Sequence, residues 1–84
     1  MTPHQRAQLG LKHLEDAVSE LLTRHGDWMS RPEIARQLDI ESYYESGFGG
    51  FVSGGICKAL VERGTLELRG GGGPGKTTFY RIKQ

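Results

Sequence analysis

The stretch FVSGGICKALVERGTLELRGGGGPGKTTFYRI, residues 51–82, decides the fold. Val52, Ile56 and Leu60 recur every fourth residue, the spacing that stacks side chains on one face of a helix. Gly64 follows Glu62 and Arg63 and supplies the left-handed residue with which helices commonly stop. From Thr65 to Arg69 polar and apolar residues alternate, the period of a strand with one buried face. Gly70 to Gly75 offers no side chains for a core and reads as a turn. Thr77 to Ile82 is β-branched and aromatic and reads as the returning strand.

Upstream, Thr2-Pro3-His4-Gln5 has the form of a helix start, with Thr2 as N-cap and Gln5 as its capping-box partner. Leu11, Leu14, Val18, Leu21 and Leu22 continue at amphipathic spacing. Gly10 inside this run predicts a bend, or a later start. Gly26 is the expected stop, with Arg24 and His25 favourably placed in the last turn. Asp27-Trp28-Met29 is a short link. Ser30-Arg31-Pro32-Glu33 is a second capping box. Ile34, Ala35 and Leu38 give the following short helix an inward face, with Arg31 and Arg36 outward.

Eighty-four residues make one small domain, residues 1–84, with one modest core. The single Cys57 excludes an internal disulfide and leaves no cysteine cluster for zinc, which fits a reducing, cytoplasmic setting. No apolar run approaches the ~20 residues of a membrane span. Met1-Thr2-Pro3-His4 is followed by no apolar signal region. The net charge of +1 argues for no partner, but its distribution does. Residues 1–45 hold five Lys/Arg against eight Asp/Glu, and residues 46–84 hold six against two. The helix-and-hairpin half is therefore the basic half, able to attract phosphates.

Met29-Ser30-Arg31-Pro32-Glu33-Ile34-Ala35-Arg36-Gln37-Leu38 resembles the opening of bacterial helix-turn-helix units, in which a short helix carries "eIA..L". The segment from Ile56 to Leu66 resembles their recognition helix running into the first wing strand. The resemblance implies a small α+β winged helix-turn-helix domain, with a three-helix core and a C-terminal β-hairpin wing. It implies a partner, double-stranded DNA, entered through the major groove by the third helix, and a role in transcription regulation. One departure is the connection DIESYYESGFGG, residues 39–50, where such units have a turn of ~3–4 residues. A similar long connection occurs in the winged domain of some restriction endonucleases and in the delta subunit of bacterial RNA polymerase. That likeness implies, as the alternative to a plain repressor, a module of a DNA modification or restriction system; the further partner expected is a second copy of the chain or a larger parent protein.

Gly70 to Thr77 also matches G-x-x-x-x-G-K-[ST], the phosphate-cradling P-loop. A P-loop needs a helix after it, and the residues after Thr77 have strand chemistry. Nucleotide binding is therefore not expected. What survives is local: glycine amides and Lys76 at a hairpin tip can hold a nucleic-acid phosphate. No catalytic constellation is present, and neither enzymatic activity nor a cofactor is expected. His4, His13 and His25 read as surface or half-buried residues on or beside the first helix.

Phe51, Phe79 and Trp28 are expected in the core. The alternation of Phe79 and Tyr80 sends one of the two outward. Tyr43 and Tyr44 are candidates to touch phosphate or stack on a base. The third helix is expected to present Ser53, Gly54, Cys57, Lys58 and Val61 opposite its Val52-Ile56-Leu60 face, with Lys58 the long polar reader, while Cys57 taken by its residue type alone reads as a small core or near-core residue. Arg31 and the second helix's N-terminus are expected to hold a phosphate. Arg69, Lys76, Thr77 and Arg81 belong to the wing. The rival expectation is a winged protein-interaction or dimerisation module that never touches nucleic acid. The modest charge of the third helix and its few arginines favour that rival, and its small residues suit a helix-packing or dimer surface equally well.

Overall fold

The computed structural model describes residues 1–40, 51–71 and 76–84, and only the backbone of 51 and 52. Tyr43 and Tyr44 lie outside the described residues, as do residues 72–75 and the side chain of Phe51. Helix α1 spans Pro3–His25. Its start is a complete capping box. The Gln5 amide donates to Thr2 Oγ1 at 3.1 Å, and the Thr2 amide donates to Gln5 Oε1 at 2.8 Å. The helix passes through Gly10 without interruption and stops at Gly26, whose φ is 77° and whose N–H donates to the Leu22 carbonyl. Only its second half packs: Val18 and Leu22 are buried, while residues 1–13 are exposed.

Strand β1, Met29–Ser30, leads directly into α2, Arg31–Leu38. Ser30 caps α2 by accepting the Glu33 amide at 3.3 Å. Glu33 does not complete the box. Its carboxylate accepts from Gln37 and Arg36 instead, which holds its pKa below the usual carboxylate value. Ser30→Ala is expected to cost about 1 kcal/mol of stability through loss of the cap. A urea titration with unchanged slope and a lower midpoint is the check.

Helix α3, Phe51–Glu62, ends at Gly64 (φ 80°), and the hairpin of β2, Leu66–Gly70, and β3, Thr78–Ile82, follows. The sheet is antiparallel with order β1-β3-β2. Met29 pairs with Tyr80, and Leu68 pairs with the same Tyr80 from the other side. Gly70 closes β2 at φ 79°. A Cβ there would lie 2.8 Å from the Thr77 carbonyl oxygen, so the strand end admits only glycine without a shift.

All six described elements supply the core: Val18, Leu22, Met29, Ile34, Ile56, Cys57, Leu60, Leu66 and Tyr80. The domain is thus α+β, with three helices packed on one face of a three-stranded sheet among the described residues. Two aromatics depart from expectation. Trp28 and Phe79 are half-buried on the outer side of the sheet, and Tyr80 takes the core position. The physical reason is strand alternation: Phe79 and Tyr80 must point to opposite faces, and Met29 inside leaves Trp28 outside. No helix of the described residues is long and apolar enough to cross a membrane.

Candidate nucleic-acid interface

The two faces of the hairpin divide the candidate residues. Leu66, Leu68 and Gly70 alternate with Glu67 and Arg69 along β2, and Thr78, Tyr80 and Ile82 alternate with Phe79 and Arg81 along β3. The register puts the first set of each strand on the α3 side, where Leu66 and Tyr80 are buried. Glu67, Arg69, Phe79 and Arg81 share the outer side. Lys58 on α3 and Arg69 and Arg81 on the hairpin, predicted to act together, therefore lie on opposite sides of the sheet.

On the inner side α3 and the hairpin enclose an open groove of 470 Å³, lined by Gly54, Lys58, Val61, Leu68, Thr78 and Tyr80 among others. Lys58 is exposed at its edge, with exposed Gly55 and Glu62 on the same helix. Leu68 is 50% exposed in the groove, which makes its floor apolar. Leu68 does not read as a ligand contact from sequence alone. The available signal is its place in the Leu66-Leu68 alternation, one step past the end of the core.

Ser53 and Cys57 correct the helix face assigned from sequence. Both are fully buried, so neither is available to a ligand. The inward arc of α3 is Ser53, Ile56, Cys57 and Leu60, an i, i+3, i+4, i+7 set. Arg31 is also turned inward. It is half-buried, its Nη1 donates to Ser53 Oγ at 3.3 Å, and its Cδ would lie 3.6 Å from a Cβ on Gly54. Arg31 thus ties α2 to α3, and the small residues of α3 give its side chain room. Burial pushes the Cys57 thiol up to about 11, an effect the nearby Arg31 charge partly opposes. Burial raises the Tyr80 hydroxyl as well.

On the outer side the Arg81 and Arg69 guanidinium carbons lie 4.4 Å and 4.7 Å from the centroid of the Trp28 ring. Arg69 is also 5.5 Å from the Phe79 centroid. Glu67 pairs with Arg81 through Nε. Arg63, at the end of α3, is taken up by Glu15 of α1, with one contact at 3.0 Å. Trp28 escapes a sequence-based reading as a site residue because its size suggests core. Phe79 and Arg81 sit on the same side by register, which is the available signal.

Lys76 and Thr77 are exposed at the base of the hairpin tip. The residues that follow the G-x-x-x-x-G-K-T match form strand β3, so the helix on which a P-loop depends is not there. His4, His13 and His25 are exposed on α1, with His25 Nε2 3.2 Å from the Trp28 carbonyl oxygen. Among the described residues no His, Cys, Asp or Glu cluster could hold a metal ion. The chain matches no protein-family model, no curated protein and no solved structure.

Proposed function

We propose that the chain is a winged-helix module that binds duplex DNA, in transcription regulation or in a DNA modification or restriction system. Exposed Lys58 of α3 is the reader, and Lys76 and Thr77 of the hairpin are backbone contacts. The observation that carries this reading is the placement of Lys58. It stands on the solvent side of α3 beside two glycines, at the rim of a groove bounded by the hairpin. A helix with small residues around one long cation can approach a major groove closely. The excess of six Lys/Arg over two Asp/Glu in residues 46–84 supports the same reading.

The protein-interaction reading has its own observation, the apolar floor of that groove with Leu68 half exposed. The two are separated by Lys58→Ala and Lys76→Ala, each measured on one preferred and one scrambled duplex. Lys58→Ala is expected to reduce the preference between them by about 1–3 kcal/mol. Lys76→Ala is expected to weaken both equally. Equal losses on both duplexes for Lys58→Ala would remove α3 as the reader.

A further inference from the structure

The outer face of the sheet carries a pair of cations for which the α3 groove has no use. Arg69 and Arg81 are both held over Trp28, and Arg69 is also near Phe79. A guanidinium laid on an indole keeps its N–H edge turned away from the ring, in the fork geometry that meets a phosphate bidentately. The stack also fixes two flexible side chains in advance, so less freedom remains to be lost when a ligand arrives. Charge on this face is offset only in part, by one carboxylate against two guanidinium groups. Glu67 engages Arg81 at Nε only, and Arg69 has no carboxylate partner among the described residues.

We infer that Arg69 and Arg81, positioned by Trp28, form a phosphodiester-binding site on the side of the sheet away from α3. This rests on the nucleic-acid reading but places a contact where α3 cannot reach, so a second segment of backbone meets the domain from its other side. Cations interleaved with aromatic rings are the surface chemistry of a nucleic-acid strand. An acidic protein segment would meet the same two guanidinium groups with carboxylates, and the polyglutamate titration separates it from duplex.

Trp28 is the only tryptophan, so its emission reports directly on the guanidinium groups against it. The full chain is titrated with a duplex oligonucleotide across a salt series, following Trp28 emission and mobility shift together. Emission is expected to change saturably with duplex. Arg69→Gln and Arg81→Gln together are expected to flatten the salt slope by ~0.9 for each phosphate that is no longer neutralised. Arg69→Lys keeps the charge but loses the fork and is expected to lie between the wild type and Arg69→Gln. Trp28→Phe should retain affinity and Trp28→Leu should lose it, which separates stacking from simple packing. A duplex shift with unchanged emission, and with the full slope kept in the double variant, would overturn this site while leaving duplex binding intact. An emission change with polyglutamate but none with duplex would overturn the phosphodiester assignment. Silence of Trp28 toward every polyanion would overturn it too.

Discussion

Leu60→Ala is expected to lower the unfolding free energy by about 2–5 kcal/mol, the range for truncating a buried leucine. Leu60 is 4% exposed and belongs to the core cluster with Val18, Leu22 and Leu66. The end of its helix is fixed as well, since the Thr65 amide donates to the Leu60 carbonyl at 2.9 Å. Domains hold only ~5–15 kcal/mol in all, so the loss is a large share of the total. Leu68→Ala is the comparison, because Leu68 is 50% exposed. That change is expected to stay within about 0.5 kcal/mol. Urea titrations of both variants give the answer. A smaller cost at Leu60 than at Leu68 would mean that α3 is rotated from the register described, and Lys58 would lose its outward place.

The second large effect is a loss of stability in alkali. The Cys57 thiol is pushed from 9.0 to about 11 by burial, and the Tyr80 hydroxyl is raised by the same cause. A group whose folded pKa is raised stabilises the fold fully below its unfolded pKa. That contribution is lost as pH rises through the folded value. The window for Cys57 therefore runs from 9.0 to about 11. A gap of this size corresponds to about 2–3 kcal/mol. Unfolding midpoints should hold steady up to the lower limit and then fall. Cys57→Val should keep more of its stability across the window, leaving the share of Tyr80. Alkylation by iodoacetamide at about pH 8 should be slow in the folded chain and fast in urea, since the thiolate is the reactive form. Equal rates in the two states would place Cys57 at the surface, where helical spacing from Val52 alone puts it.

Features written in local chemistry were legible from the sequence. Thr2, Ser30, Gly26 and Gly64 mark helix ends because caps are settled by the few residues around them. The alternation from Leu66 to Arg69 carries the strand and its two faces. The inward arc of α3 differs by one step from the arc that spacing suggests. Spacing from Val52 by fours selects one edge of the arc, whereas the buried set is centred between Ser53-Cys57 and Ile56-Leu60. Ser53 reads as polar surface until Arg31, 22 positions earlier in sequence, is seen donating to it. Such a pairing is tertiary and has no local signature. Trp28 escapes in the same way. Its bulk suggests a core, and the guanidinium groups that cover it come from two strands more than 40 residues later in β2 and β3. Gly10 is the opposite case, since α1 absorbs it with no break and with open space around it.

The most direct measurement is equilibrium binding of the wild-type chain to duplex DNA as a function of salt. A duplex-binding domain releases condensed counterions, and log K against log salt should fall linearly by roughly 0.9 for each phosphate neutralised. With Lys76 and the Arg69–Arg81 pair on backbone, the slope should correspond to more than one phosphate. Affinity that ignores salt, or absence of binding at low salt, would contradict the account and leave the apolar groove beneath Lys58 as a protein-docking surface.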